Sequence, residues 1–138
     1  MKRIVLFLLI LLGAHLGVRA QKGLAVQEAF DEMAVKKNAT EVIMGPGKLK
    51  KFKLSFFHSL EIKNPSLPER QRIETLLDKD VVKGILHEET PEHRLYELPQ
   101  RKGVHYYIFY RHSGQAITLI YIEGKASLTQ IKNYFQKN

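Results

Sequence analysis

The stretch from Val104 to Glu123 limits the possible folds of this chain more than any other. Val104–Arg111 and Ala116–Glu123 are two β-type runs joined by His112-Ser113-Gly114-Gln115, which makes a hairpin. Both alternating sets of each run are largely apolar. Tyr106, Ile108 and Tyr110 alternate with Tyr107 and Phe109, and Leu119 and Tyr121 alternate with Ile120 and Ile122. Successive strand side chains point to opposite faces. A strand that is apolar on both belongs in the middle of a sheet, with helices over at least one face.

The rest of the chain supplies those elements. Lys51 to Lys63 alternates: Phe52, Leu54, Phe56, His58, Leu60 and Ile62 share one face, and Lys51, Lys53, Ser55, Ser59, Glu61 and Lys63 the other, with Phe57 the exception. Its length predicts a bend or bulge near Phe57-His58. Ala25 to Lys37 has apolar residues at helical spacing (Val26, Ala29, Phe30, Met33), and Thr40 to Met44 reads as a short strand ended by Gly45-Pro46-Gly47. Ser66 with Glu69, and Ser127 with Gln130, have the spacing of capping boxes and open two further helices. The stripe of the first is Ile73, Leu76, Leu77 and Val81, with Gly84 its end; that of the second is Leu128, Ile131, Tyr134 and Phe135. Ile85 to Pro99 is mixed and charged, with room for a short strand around Arg94 to Leu98. This order predicts an α+β domain: an antiparallel sheet of about four to five strands, with helices mainly on one face.

The first twenty residues read differently. Met1-Lys2-Arg3 is basic, Ile4 to Leu12 is unbroken apolar sequence, and Val18-Arg19-Ala20 resembles a signal-peptidase site. Residues 1–20 therefore read as a secretory signal peptide, and 21–138 as one exported domain. The apolar run reaches a membrane-spanning length only if Gly13 to Val18 are counted, and the Val18-Arg19-Ala20 ending favours cleavage. Cleavage removes Lys2, Arg3 and Arg19 and no acid, so the charge falls from +8 to 19 bases against 14 acids. That balance suits weak attraction to anionic surfaces rather than dedicated nucleic-acid binding. The chain has no cysteine, which excludes disulfides, a thiolate nucleophile, cysteine metal sites and a lipidated cysteine anchor.

Two segments carry a family likeness. Phe30-Asp31-Glu32-Met33 with Thr40-Glu41-Val42-Ile43-Met44, and Ile117 to Lys125 with Leu128-Thr129-Gln130-Ile131, resemble small exported domains of unknown function common in Bacteroidetes. Many such proteins carry a lipobox cysteine, and this chain does not. The resemblance implies no activity and no catalytic residues.

Candidate chemistry is sparse. His87-Glu88-Glu89-Thr90-Pro91-Glu92-His93 places two histidines and three carboxylates in seven positions. A zinc-protease helix needs a His-Glu-x-x-His spacing, and Pro91 would break a helix here, so a solvated acidic loop is the simpler reading. His58, on the apolar face of its strand, reads as a core histidine. His105 and His112 read as residues at the edge of the aromatic strand. Ser113 lacks the Gly-x-Ser-x-Gly elbow of a nucleophile. Lys48, Lys50, Lys51 and Lys53 follow Gly45-Pro46-Gly47 without P-loop spacing; they suit an acidic ligand or a charged sheet edge. Asn38-Ala39-Thr40 matches a glycosylation sequon.

The expected function is a non-enzymatic binding or interaction module, periplasmic or secreted, with no cofactor, no metal, no lipid anchor and no nucleic-acid partner. Its membrane contact is the signal peptide's, during export. Its surface comprises Lys48, Lys50, Lys51, Lys53, Tyr107 and Phe109, and its partner is a protein or envelope component. The alternative is a small hydrolase or metal-dependent enzyme using His58 or the His87–His93 segment.

Overall fold

Strand register organises the molecule. The computed structural model describes residues 23–90 and 92–136, so the signal-peptide segment lies outside the described residues. Helix α1 (Val26–Met33) precedes strand β1 (Ala39–Met44). A one-turn helix α2 (Pro46–Leu49) and a 3-10 turn (Lys50–Phe52) lead into β2 (Leu54–Lys63). Helix α3 (Leu67–Val81) follows, then β3 (Ile85–Glu89), β4 (His93–Arg101), β5 (Val104–Ser113), β6 (Ala116–Gly124) and helix α4 (Leu128–Gln136). The six strands form one sheet in the order β1-β2-β6-β5-β4-β3, and every neighbouring pair is antiparallel. The α+β class is as expected; the sheet has one or two strands more than expected. The two-faced apolar strands β5 and β6 are interior.

Both faces of the sheet are covered, which corrects the expectation of helices mainly on one. One core gathers Phe30 and Met33 of α1, Ile73, Leu76 and Leu77 of α3, Leu60 and Ile62 of β2, and Ile108, Leu119 and Tyr121 of the central strands. The other gathers Leu49 of α2, Ile131 of α4, Leu95, Tyr107, Ile120 and Ile122. Leu119 and Tyr121 fall in the first and Ile120 and Ile122 in the second, as period-two alternation requires. At about 1.5–3 kcal/mol for each fully buried large apolar side chain, two cores give an uncross-linked domain enough burial to fold.

Local signals hold the helices in place. Both capping boxes form: Glu69 N–H donates to Ser66 Oγ and Ser66 N–H to Glu69 Oε1, with the same exchange between Ser127 and Gln130. Helix α1 lacks a local cap. Buried Asp80, at the far end of α3, instead accepts from Ala25 N–H (2.7 Å) and Val26 N–H (2.8 Å). That tie satisfies two of the orphan donors of α1 and fixes it against α3.

The bulge in β2 lies between Leu54 and Phe56, nearer the start than the expected Phe57-His58. The strand begins at Leu54, and Phe52 stands in the preceding 3-10 turn, 38% exposed, not on the buried face. The Ile85–Pro99 region holds two antiparallel strands, so His87, Glu88 and Glu89 lie in β3 and His93 opens β4, rather than standing in an acidic loop.

Candidate functional site

The antiparallel order gathers four distant loops at one end of the sheet. Strand β2 starts where β6 ends (Leu54 opposite Gly124), β5 starts there too (His105 opposite Gly124), and β4 ends beside it (Arg101 opposite Val104). Strand β1 ends at the same side, with Met44 opposite Phe57, and β3 begins there. The loops 45–53, 82–84, 102–103 and 125–127 therefore share one end. They carry Lys48, Lys50, Lys51, Lys53, Lys83, Lys102 and Lys125, and no Asp or Glu.

The 45–53 loop is fixed at its base and open at its tip. Pro46 starts α2, and Leu49 is buried in the second core. Lys53 adopts a left-handed conformation (φ 59°), and its carbonyl accepts from Lys125 N–H (2.9 Å) and Ala126 N–H (3.1 Å). Tyr134 of α4 donates its hydroxyl to Phe52 O (2.9 Å) and meets the Phe52 ring edge-on, 5.5 Å between centroids. Lys51 Nζ lies 5.0 Å from the centre of that ring, a cation–π distance. Gly124 permits the close approach, since a Cβ there would stand 2.6 Å from Leu54 Cα and Lys53 O. Among the described residues, Lys48, Lys50, Lys51, Lys53 and Lys125 form no ion pair.

The histidines behave differently. Glu97 on β4 bridges two of them: His87 Nε2 is 2.8 Å from its Oε1, and His105 Nδ1 is 3.1 Å from its Oε2. Beside this bridge, His93 Nε2 and Lys132 Nζ lie 3.1 and 3.2 Å from the two oxygens of Glu88. Burial pushes the Glu97 carboxyl up, but the hydrogen bonds from His105 and His87 outweigh it and hold the group below the usual carboxylate range. The His93 hydrogen bond and Lys132 hold Glu88 low as well. His87 and His93 thus answer to different carboxylates. Among the described residues no group of three or more His, Asp or Glu could hold a metal ion.

The remaining candidates are structural. His58 is buried, stacked on Phe30 with centroids 3.8 Å apart, and its Nε2 is 2.6 Å from Glu41 Oε2. The expectation that Tyr107 belongs to the interaction surface is corrected by α4. Tyr107 is fully buried beneath that helix, its hydroxyl donates to Ala126 O (3.1 Å), and burial pushes its pKa up to about 12. Phe109 is half-buried beside the same core, 6.0 Å from the His93 ring. The expected surface therefore divides: its lysines are exposed, Tyr107 is buried, and Phe109 is half-buried beside the same core. Lys83, Lys102 and Lys125 are the residues sequence reasoning missed, along with the outward turn of Phe52. The visible signal was the lack of any acid in 42–60 and in 124–138. A shallow hollow of about 380 Å³ lies at the opposite end, lined in part by Asn64, Arg70, His112 and Gln115, and holds none of the lysines and none of the carboxylate-paired histidines.

No curated protein and no solved structure matches the chain. Residues 14–135 match the model of a family of unknown function, DUF6108, and the chain belongs to that family.

Proposed function

We propose that this protein is an exported, non-enzymatic binding module, and that its lysine-rich end meets an anionic protein or envelope component. The observation that carries this reading is the charge arrangement: seven lysines on four loops at one end, with no acid among those loops. Elsewhere several cations are matched internally, although Lys37, Lys63 and Lys79 also form no ion pair among the described residues. Arg72 is paired with Glu28 and Glu32, Lys36 with Glu69, and Lys132 with Glu88. Unneutralised like charges repel one another, and a partner of opposite sign relieves that repulsion. The histidines that an enzyme would use are held in tight carboxylate pairs or stacked in the core, away from any shared cleft. The basic, apolar and small-residue pattern of residues 1–20 supports export.

The test is salt-dependent binding to a sulfated or phosphate-bearing matrix. The wild type should be retained at low salt and released at high salt. A variant carrying Lys48→Gln, Lys50→Gln, Lys51→Gln and Lys53→Gln should lose most of that retention, and Glu97→Gln should keep it. Equal retention of wild type and four-glutamine variant would contradict the reading.

A further inference from the structure

We infer that the anionic partner is a lipid surface, and that Phe52 enters its headgroup layer. This rests on the lysine-rich end being a binding surface, and it is favoured by three features of that end.

The first is the choice of cation. All seven basic residues of the four loops are lysines. Arg101, the last residue of β4, borders this set, while Arg70, Arg72 and Arg94 lie elsewhere, beside carboxylates of α1, α3 and β3. Arginine's planar fork suits fixed, bidentate phosphate recognition, whereas lysine is a mobile point charge. A set so dominated by lysine fits a fluid array of phosphates better than the ordered backbone of a nucleic acid.

The second is Phe52. A large apolar ring, 38% exposed, sits between Lys51 and Lys53 in a turn whose residues 50–53 are all exposed. Tyr134 anchors the turn from behind, through a hydroxyl bond to the Phe52 carbonyl. An apolar group ringed by long cationic side chains matches a membrane interface: the ring enters, the lysine stems lie along the boundary, and the ammonium groups reach the phosphates.

The third is breadth. Six strands about 4.8 Å apart make this end of the sheet roughly 24 Å wide. Lysines spread across that width, from the β1–β2 loop to Lys83 before β3, engage an extended charged plane more completely than they would one small anion. Clusters of four to eight lysines or arginines are the pattern associated with anionic lipid surfaces. Among the described residues no helix is long and apolar enough to cross a membrane, and the contact proposed is peripheral.

The experiment uses the full chain with vesicles of phosphatidylcholine, alone or mixed with phosphatidylglycerol. The apolar run Ile4–Leu12 is common to wild type and variants, so neutral vesicles measure its share of binding and the anionic increment measures the lysine end. The chain has no tryptophan, so Phe52→Trp supplies a single reporter at the tip. Its emission should shift to the blue, and be quenched by headgroup-proximal spin labels, only with anionic vesicles. Each lysine near the surface contributes about fivefold in partitioning, so replacing Lys48, Lys50, Lys51 and Lys53 by glutamine should lower the anionic increment several-hundredfold. Circular dichroism establishes that the variants are folded. Unshifted indole emission from the Phe52→Trp variant, when it is bound to anionic vesicles, would overturn the insertion. Binding to a sulfated polysaccharide or an acidic peptide, with no anionic increment on vesicles, would overturn the lipid assignment and leave the binding reading standing. Loss of salt-dependent binding to all of these would overturn both.

Discussion

Phe52 and Tyr107 occupy opposite situations in the same molecule. Tyr107 lies beneath α4 at zero exposure, with its hydroxyl satisfied by Ala126 O. Phe52 stands in a lysine-rich turn, with its ring reaching solvent. Their neighbours follow the same division. Around Tyr107, the β3–β5 face carries Glu97 bonded to two histidines and Glu88 bonded to a third and to Lys132. Around Phe52, the lysine-bearing loops contain no acid. One region satisfies its polar groups internally and serves the fold; the other leaves its charges open and is available to a partner.

Stability measurements should separate the two regions sharply. Tyr107→Ala removes a fully buried ring and should cost about 4 kcal/mol in chemical denaturation. Phe52→Ala should cost less than about 1 kcal/mol. Similar losses for the two would dissolve the contrast. Glu97→Ala, which strands two half-buried imidazoles, should cost about 1–2 kcal/mol after allowance for its partial exposure. Each of Lys48→Gln, Lys50→Gln and Lys51→Gln should stay within about 0.5 kcal/mol, and relief of repulsion among the lysines favours a small gain.

The pH dependence sharpens the contrast within the folded core. The folded-state pKa of Glu97 lies below its unfolded value. Its contribution is present above the ordinary glutamate value of about 4.3 and is lost as pH falls through the depressed folded value. Glu123 has the opposite sign. Burial raises its pKa, a rise that the bond from Tyr121 (2.8 Å) only partly counters. Its contribution is present below about 4.3 and is lost as pH rises through the raised folded value. Denaturation curves across pH should show Glu97→Gln flattening the acid flank and Glu123→Gln flattening the flank above it. Reversal of the two effects would refute the assignment.

The signals legible in sequence were local ones. Each capping box needs two residues three apart, and both formed. The alternation of Phe56, His58, Leu60 and Ile62 stated one buried face, and that face is buried. Extending the alternation back to Phe52 failed because a bulge and a left-handed Lys53 interrupt the strand, and neither leaves a mark in the hydrophobic pattern. Strand β3 was not legible because it is an edge strand: Ile85 and Leu86 are exposed, and a register shift follows Leu86. Tyr107 was misplaced because its burial depends on where α4 docks. Lys102 and Lys125 join the Lys48–Lys53 cluster only through strand register, across roughly fifty residues of chain or more.

The most direct measurement of the open end's role is a heteronuclear NMR titration of the isotope-labelled chain with phosphatidylglycerol-containing bicelles. The expected result is amide shifts and broadening confined to residues 45–53, 82–84, 102–103 and 125–127 and their immediate neighbours, with the amides of His87, His93 and Glu97 unmoved. Perturbations centred on the Glu97 bridge, with the lysine loops silent, would contradict the assignment of function to the lysine-rich end.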